Sequence, residues 1–345
     1  MCEKQIVTTL ELISDYFLFM HWSRTITNNY LITQVLLALE EVGLWETLAN
    51  HKRKTVSELA KELGVHEHQL ATSMDFLWSM TDFLDKDAGY YSLREQEIRK
   101  PLIILKAYKD VFDNMGKILN GTRKYGENIN RDGYYLQKAS EFVTEKSINL
   151  IIGSLNGKRN LQLIDLGCGS AVSIINFCKQ SGENSAIGID IDESTVLEAR
   201  KRILNENLHS QAQIILADAM DIKEWMGKIA QEKEKIFIIS TLLHESLNSG
   251  ERGIIQFLKQ LHEKFTKTHL FILEFDTPSF EKIKNLQDQV QKNFLARYRL
   301  WHPFSNQGMP QPRAIWERII YSAGWNVNKI TKEDMDLITY ECTPH

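Results

Sequence analysis

Four short runs of this sequence combine residue types that could do chemistry together. In the first, Asp165, Leu166, Gly167, Cys168, Gly169, Ser170 and Ala171 stand where an apolar strand gives way to a helical pattern. Glycines in such a turn let the backbone approach a ligand closely, at the carboxyl edge where open α/β sheets bind cofactors. In the second, the apolar run Ala186 to Ile189 ends in Asp190 and Ile191. The Asp190 carboxylate can accept the hydroxyl hydrogens of a ribose beside the glycine turn. The third, Ala217, Asp218, Ala219 and Met220, offers an acceptor for an adenine amino group in Asp218 and an apolar wall in Met220. Asp190 and Asp218 together mark an adenosine site. The fourth run, Ile236 to Ser240 and then Thr241, Leu242, Leu243, His244 and Glu245, ends a strand with a candidate base in His244. A G-x-G turn alone would equally suit an NAD-binding fold or a relic with an empty pocket.

The elements that must position these runs alternate between strand and helix. LQLIDLG, a helix from Ser173, AIGIDI, a helix from Ser194, QIILAD, KIFIIST, a helix from Glu251 and HLFILEF follow in order. That alternation predicts a doubly wound, mostly parallel sheet. Ahead of it the chain is helical: apolar residues recur at helical spacing from Leu10 to Leu48, with a stop at Gly43. A short helix from Thr55 to Leu63, capped by Thr55 with Glu58 three residues on, turns at Gly64 into a second helix over 66–84. The turn Asp85 to Gly89 then leads into Tyr90 to Leu93, like the small hairpin of a winged helix. Further helices are expected from Pro101 to about Asn120 and from about Gln137 to Ser154. The expected division is a helical winged-helix-like domain over 1–120, a linker and substrate-lining segment over 121–158, and the cofactor domain over 159–345.

The order and spacing of D-L-G-C-G-S-A, G-I-D and A-D-A resemble the motifs of class I S-adenosylmethionine-dependent methyltransferases, over roughly 161–280. The resemblance implies a seven-stranded Rossmann-like sheet with S-adenosylmethionine bound by Asp165, Gly167, Cys168, Gly169, Asp190, Ile191, Asp218, Ala219, Met220 and Ser240. Ala171 stands where a third glycine is commoner. The H-E pair after the fourth strand resembles the H-D segment of winged-helix O-methyltransferases, so His244 aligns with the histidine that deprotonates the acceptor. Glu274, ending the fifth strand, falls where those enzymes place the acid that orients it. The run Tyr125 to Tyr135, with the L-L-H-E segment, looks like a bacterial subgroup of specialised-metabolism methyltransferases. Members of that subgroup methylate carbon in 2-keto acids or the C-terminal carboxylate of ribosomal peptides such as lanthipeptides.

On the acceptor side, Tyr125, Asn130, Arg131 and Tyr134 are too polar for a core and too aromatic for a plain linker. Arg24, Arg131, Arg297, Arg299 and Arg313 are possible carboxylate contacts, since arginine offers a planar fork of donors. Trp301, His302, Pro303, Phe304 and the later Gly308, Met309 and Pro310 suggest a lid or a hairpin loop, with His302 facing substrate.

Composition excludes several classes. A net charge of −4 across 345 residues gives no global attraction to phosphate backbones or anionic membranes. Positions 65–84 carry no Lys or Arg, but do carry Glu67, Asp75 and Asp82, which argues against a DNA-reading helix. Their many apolar residues suggest a second buried contact, hence a homodimer through this domain. The N-terminus lacks the apolar core of a signal peptide, and no stretch could span a bilayer. Cys2, Cys168, Cys178 and Cys342 are scattered without metal-site spacing, as in a reduced, cytoplasmic protein. The expectation is an O-methyltransferase acting on a carboxylate or hydroxyl of a small acid or modified peptide. C-methylation of a 2-keto acid is the alternative within the class, and a non-catalytic ligand-sensing regulator the alternative outside it.

Overall fold

The computed structural model describes residues 23–49, 52–94, 99–155, 157–229, 233–265 and 268–345. The helical pattern expected over 10–22 lies outside the described residues. Two compact units are present, 1–106 and 107–345.

In the first unit the helix Asn28–Glu41 stops before Gly43, which takes the left-handed φ of 83° and starts Leu44–Thr47. Strand β1 (Lys54–Thr55) leads into the helix Val56–Leu63. Thr55 and Glu58 satisfy each other's free amides there, as their spacing predicts. The second helix is shorter than expected, Glu67–Met80, because Thr81 is fully extended and Leu84 opens strand β2. β2 (Leu84–Asp87) pairs with β3 (Tyr90–Leu93) around Ala88 and Gly89, both left-handed as a tight hairpin requires. β1 joins this hairpin in the order β1-β3-β2, so the unit is not all-helical. Two residues, Lys-Thr, are too short to show strand alternation in a sequence. Trp45, Leu48, Leu59, Met74, Leu77 and Tyr91 form the core, while Trp78 and Met80 stay exposed.

The second unit is built on a seven-stranded sheet. Its strands are β4 (Leu161–Leu166), β5 (Ser185–Asp190), β6 (Ala212–Leu216), β7 (Glu234–Ser240), β8 (Thr268–Phe275), β9 (Trp325–Lys332) and β10 (Leu337–Pro344). They lie in the order β6-β5-β4-β7-β8-β10-β9, parallel except for β10, which runs against both neighbours. Every residue of β4 is buried, as expected of a central parallel strand covered on both faces. Ile164 and Leu163 point into separate cores on the two faces. The chain steps outward from β4 to β6 and returns at β7, so the topological switch, where such sheets bind ligands, falls between β4 and β7.

Three other expectations change. The region after Pro101 is broken into Arg99–Ala107, Lys109–Asp113 and Met115–Leu119. The helix expected from Gln137 starts earlier, Gly133–Ser154, because Asp132 caps it through the Tyr135 amide. Trp301, His302, Pro303 and Phe304 end the helix Gln289–Phe304 instead of forming a hairpin; Pro303 has no amide to donate within the helix, which stops one residue later.

Candidate active site

The turn after β4 is stapled to the end of β5. The amides of Gly167 and Cys168 both donate to the Ile189 carbonyl, at 2.8 and 3.0 Å. The Gly169 amide donates to one Asp190 carboxylate oxygen and the Asp192 amide to the other, each at 3.0 Å. Gly188, in G-I-D, has a packing role: a Cβ there would lie 2.6 Å from the Ile174 side chain and 2.7 Å from those of Cys168 and Ile214, which would have to shift to admit it. Ala171 is buried with a φ of 64°, a left-handed conformation that costs a non-glycine residue roughly 1–2 kcal/mol. That accounts for glycine being the commoner residue at this position.

Burial drives the electrostatics of this edge. It pushes the Asp165 carboxyl up to about 7; a Ser173 hydrogen bond opposes the shift and nearby Asp190 adds to it. Asp190 is also raised by burial, against the pull of the amides it accepts. Asp218 is exposed, with its carboxylate accepting from the Met220 amide at 2.8 Å. Ala219 is buried, Met220 packs on the core and Ile191 is largely exposed. The Ser240 hydroxyl, at the end of β7, is buried and has no hydrogen-bond partner among the described residues.

A second buried group without a partner tests the fit to S-adenosylmethionine. Gln137 places its Cγ 3.8 Å from where a Gly169 side chain would start, and its amide nitrogen has no partner among the described residues. A free donor at the glycine turn suits the carboxylate of an amino acid, while Asp190 and Asp218 suit a ribose and an adenine. The residues present therefore fit the group. Gln137 carries no motif; its only signal is a polar residue on the inward face of a long helix.

On the acceptor side, the geometry gathers residues from distant segments. His244 opens the short helix Leu243–Ser249 and is 3% exposed. The preceding Thr241 has a φ of 50°, strain for a β-branched residue of the kind stored at functional sites. Glu274, 1% exposed, accepts from His244 twice: from the backbone amide at 3.2 Å and from Nδ1 at 2.8 Å. The ring's Nε2 is thus the atom left for a substrate. Burial alone would lower the His244 pKa, but the Glu274 carboxylate outweighs it and the net shift is upward.

Next to this dyad, Glu245 accepts from Arg131 at 3.2 Å and from Gln307 at 2.7 Å. Arg131 also donates to the Tyr125 hydroxyl at 2.8 Å. Burial acts against the Arg131 charge, and Glu245 with Tyr108 more than restores it. His302 stacks edge-to-face on His244, with ring centroids 4.9 Å apart. Gly308 lies so close to the His244 carbonyl and Leu247 that a side chain there would come within 2.4 Å of both.

The remaining sequence candidates make other contacts. Asn130 is exposed, its amide donating to Asp110, and Tyr134 is exposed against Tyr135. Arg297 and Arg299 donate to backbone carbonyls, and Arg313 pairs with Glu317. Arg24 falls in Ser23–Thr27 of the first unit, and its side chain is outside the described residues. Sequence reading missed Gln307 and the role of Glu245 as a shared acceptor.

Among the described residues no helix is long and apolar enough to cross a membrane, and no His, Cys, Asp or Glu group could hold a metal ion. No curated protein matches the sequence. The chain is similar in fold to an O-methyltransferase family protein from Burkholderia thailandensis, at 14% identity and a TM-score of 0.68 over 98% of each chain. It is also similar to mitomycin 7-O-methyltransferase, at 12% identity and 0.61 over 99% of this chain and 100% of that one. A third is the N,N-8-amino-8-demethyl-D-riboflavin dimethyltransferase of Streptomyces davawensis, at 14% and 0.61 over 97% and 99%. Residues 157–294 match the methyltransferase domain family. That match covers the glycine turn, Asp190, Asp218, His244 and Glu274, so the chain carries a methyltransferase domain.

Proposed function

We propose that this chain is an O-methyltransferase of specialised metabolism whose acceptor is a hydroxyl of a small molecule. The observation that carries the reading is the buried pair His244 and Glu274, joined at 2.8 Å. When bound, the cofactor supplies an electrophilic methyl group. The protein must then hold an acceptor in line, worth up to ~7–11 kcal/mol, and remove a proton where the acceptor has one. His244 Nε2 can take that proton while Glu274 fixes the tautomer and stabilises the imidazolium.

A carboxylate acceptor, with a pKa near ~4, is already ionised at neutral pH and needs no base. It would also need a free cation, whereas the Arg131 charge is engaged by Glu245. Both points favour a hydroxyl over the peptide or small-acid carboxylate. The neighbours named above include one that acts on oxygen and one on an amine, so the fold alone does not choose. C-methylation of a 2-keto acid would use the same base and is distinguished by the product. In the first unit, exposed Trp78 and Met80 support the reading of a homodimer-forming face.

The test is methyl transfer from S-adenosylmethionine to panels of phenolic, aliphatic hydroxyl and carboxylate acceptors, by wild type and His244→Ala. A hydroxyl product is expected, with turnover lowered roughly 10²–10⁴-fold in the variant. A loss under about tenfold would remove the base assignment and restore the carboxylate reading.

A further inference from the structure

His302 is 1% exposed, and its Nδ1 meets the Tyr298 carbonyl one helical turn back. A carbonyl accepts only, so the proton is on Nδ1 and a lone pair is on Nε2. That Nε2 is buried and, among the described residues, has no hydrogen-bond partner. A buried acceptor left unpaired costs about 1–3 kcal/mol, so one this close to a reactive centre calls for an explanation. The ring stands edge-to-face against His244, centroids 4.9 Å apart, and against Tyr298 at 4.4 Å.

We propose that His302 Nε2 accepts a hydrogen bond from a second donor on the methyl acceptor, which therefore carries a hydroxyl or N–H beside the hydroxyl that faces His244. This rests on the reading of His244 as the base. Two neighbouring imidazoles divide the work: His244, held by Glu274, takes the proton, and His302, held by a neutral carbonyl, only accepts a hydrogen bond. Burial, with the charge of His244 beside it, pulls the His302 pKa down to about 3, so the ring stays neutral and cannot serve as a second proton carrier at neutral pH. Acceptors with a lone hydroxyl leave Nε2 unpaired and are discriminated against, as sites built to hydrogen-bond a substrate group reject analogues that lack it.

The experiment is calorimetric titration of the S-adenosylhomocysteine-loaded protein with catechol, which has donors on adjacent carbons, and with phenol, which has one. Catechol is expected to bind roughly 5–150-fold more tightly to wild type, the range set by pairing one buried acceptor. The preference should disappear in His302→Phe and survive in part in His302→Gln, which keeps an acceptor; the second variant carries the test if the first does not fold. Equal affinities, no binding of either at millimolar concentration, or a preference unchanged in His302→Phe would overturn the proposal. Because binding needs no methyl transfer, a failed base assignment would appear in His244→Ala turnover and leave this ratio intact.

Discussion

The two halves of the site are built differently. The cofactor edge is built mainly from local turn groups, two glycine amides, a strand-end carbonyl and carboxylates that close turns, within 165–220 of one continuous β-α-β-α-β path, with the Gln137 amide added from a separate helix. The acceptor side is made of side chains brought from four separate segments, at Arg131, at His244 and Glu245, at Glu274, and at His302 and Gln307. A backbone-built site is specified by local turn chemistry and changes little from one member of a fold to another. A side-chain-built site depends on how separate helices pack, and can be altered one residue at a time.

The sharpest way to break this contrast is Glu274→Gln, which touches the acceptor side alone. It should lower turnover by up to about 10⁴-fold while cofactor binding is unchanged, since a wrong imidazole tautomer disables the base. A second readout is the pH profile. Because Glu274 raises the His244 pKa above its usual 6.5, wild-type kcat/KM should climb with pH on a limb above that value. In the variant the limb should move to lower pH; an unmoved limb would mean another group is the base.

A smaller effect is expected at Gly308→Ala. The added methyl would press on the His244 carbonyl and Leu247, and overpacking of this kind costs typically about 1–3 kcal/mol. Thermal melting should show that loss, with turnover falling further than S-adenosylhomocysteine affinity. An equal fall in both would show that the two halves are mechanically one.

A different kind of effect is a pH slope at the cofactor edge. Asp165 has its folded pKa raised from 3.8 to about 7, so the folded state holds the proton more tightly than the unfolded chain. That contribution to stability is present below 3.8 and is lost as pH rises to about 7. Asp165→Asn should flatten the decline in melting temperature over this window, and an unchanged slope would place its origin elsewhere.

The same contrast explains what was legible in the sequence. Asp190 and the glycine turn could be found because a turn, a strand end and their spacing are local properties. The capping pair Thr55 and Glu58 was legible for the same reason. His244 and Glu274 were found as strand-end residues, and their pairing required β7 and β8 to be neighbours, which the alternation of elements predicts. Gln137, Gln307 and the sharing of Glu245 were not legible, because nothing local marks a polar side chain that a distant helix will bury. The end of the helix over 67–80 was misjudged where short strand pairing overrode the pattern, and residues 301–304, expected in a lid or hairpin loop, instead close a helix that tolerates a proline.

In the proposed reading, Asp190 and the glycine turn hold the adenosine of the cofactor at the carboxyl edge of the sheet. Calorimetric titration of the purified protein with S-adenosylhomocysteine, repeated with Asp190→Ala, tests it most directly. Saturable binding by wild type is expected, with on the order of 100-fold weaker binding in the variant from loss of charged hydrogen bonds. No binding by wild type, or equal binding by both, would contradict it.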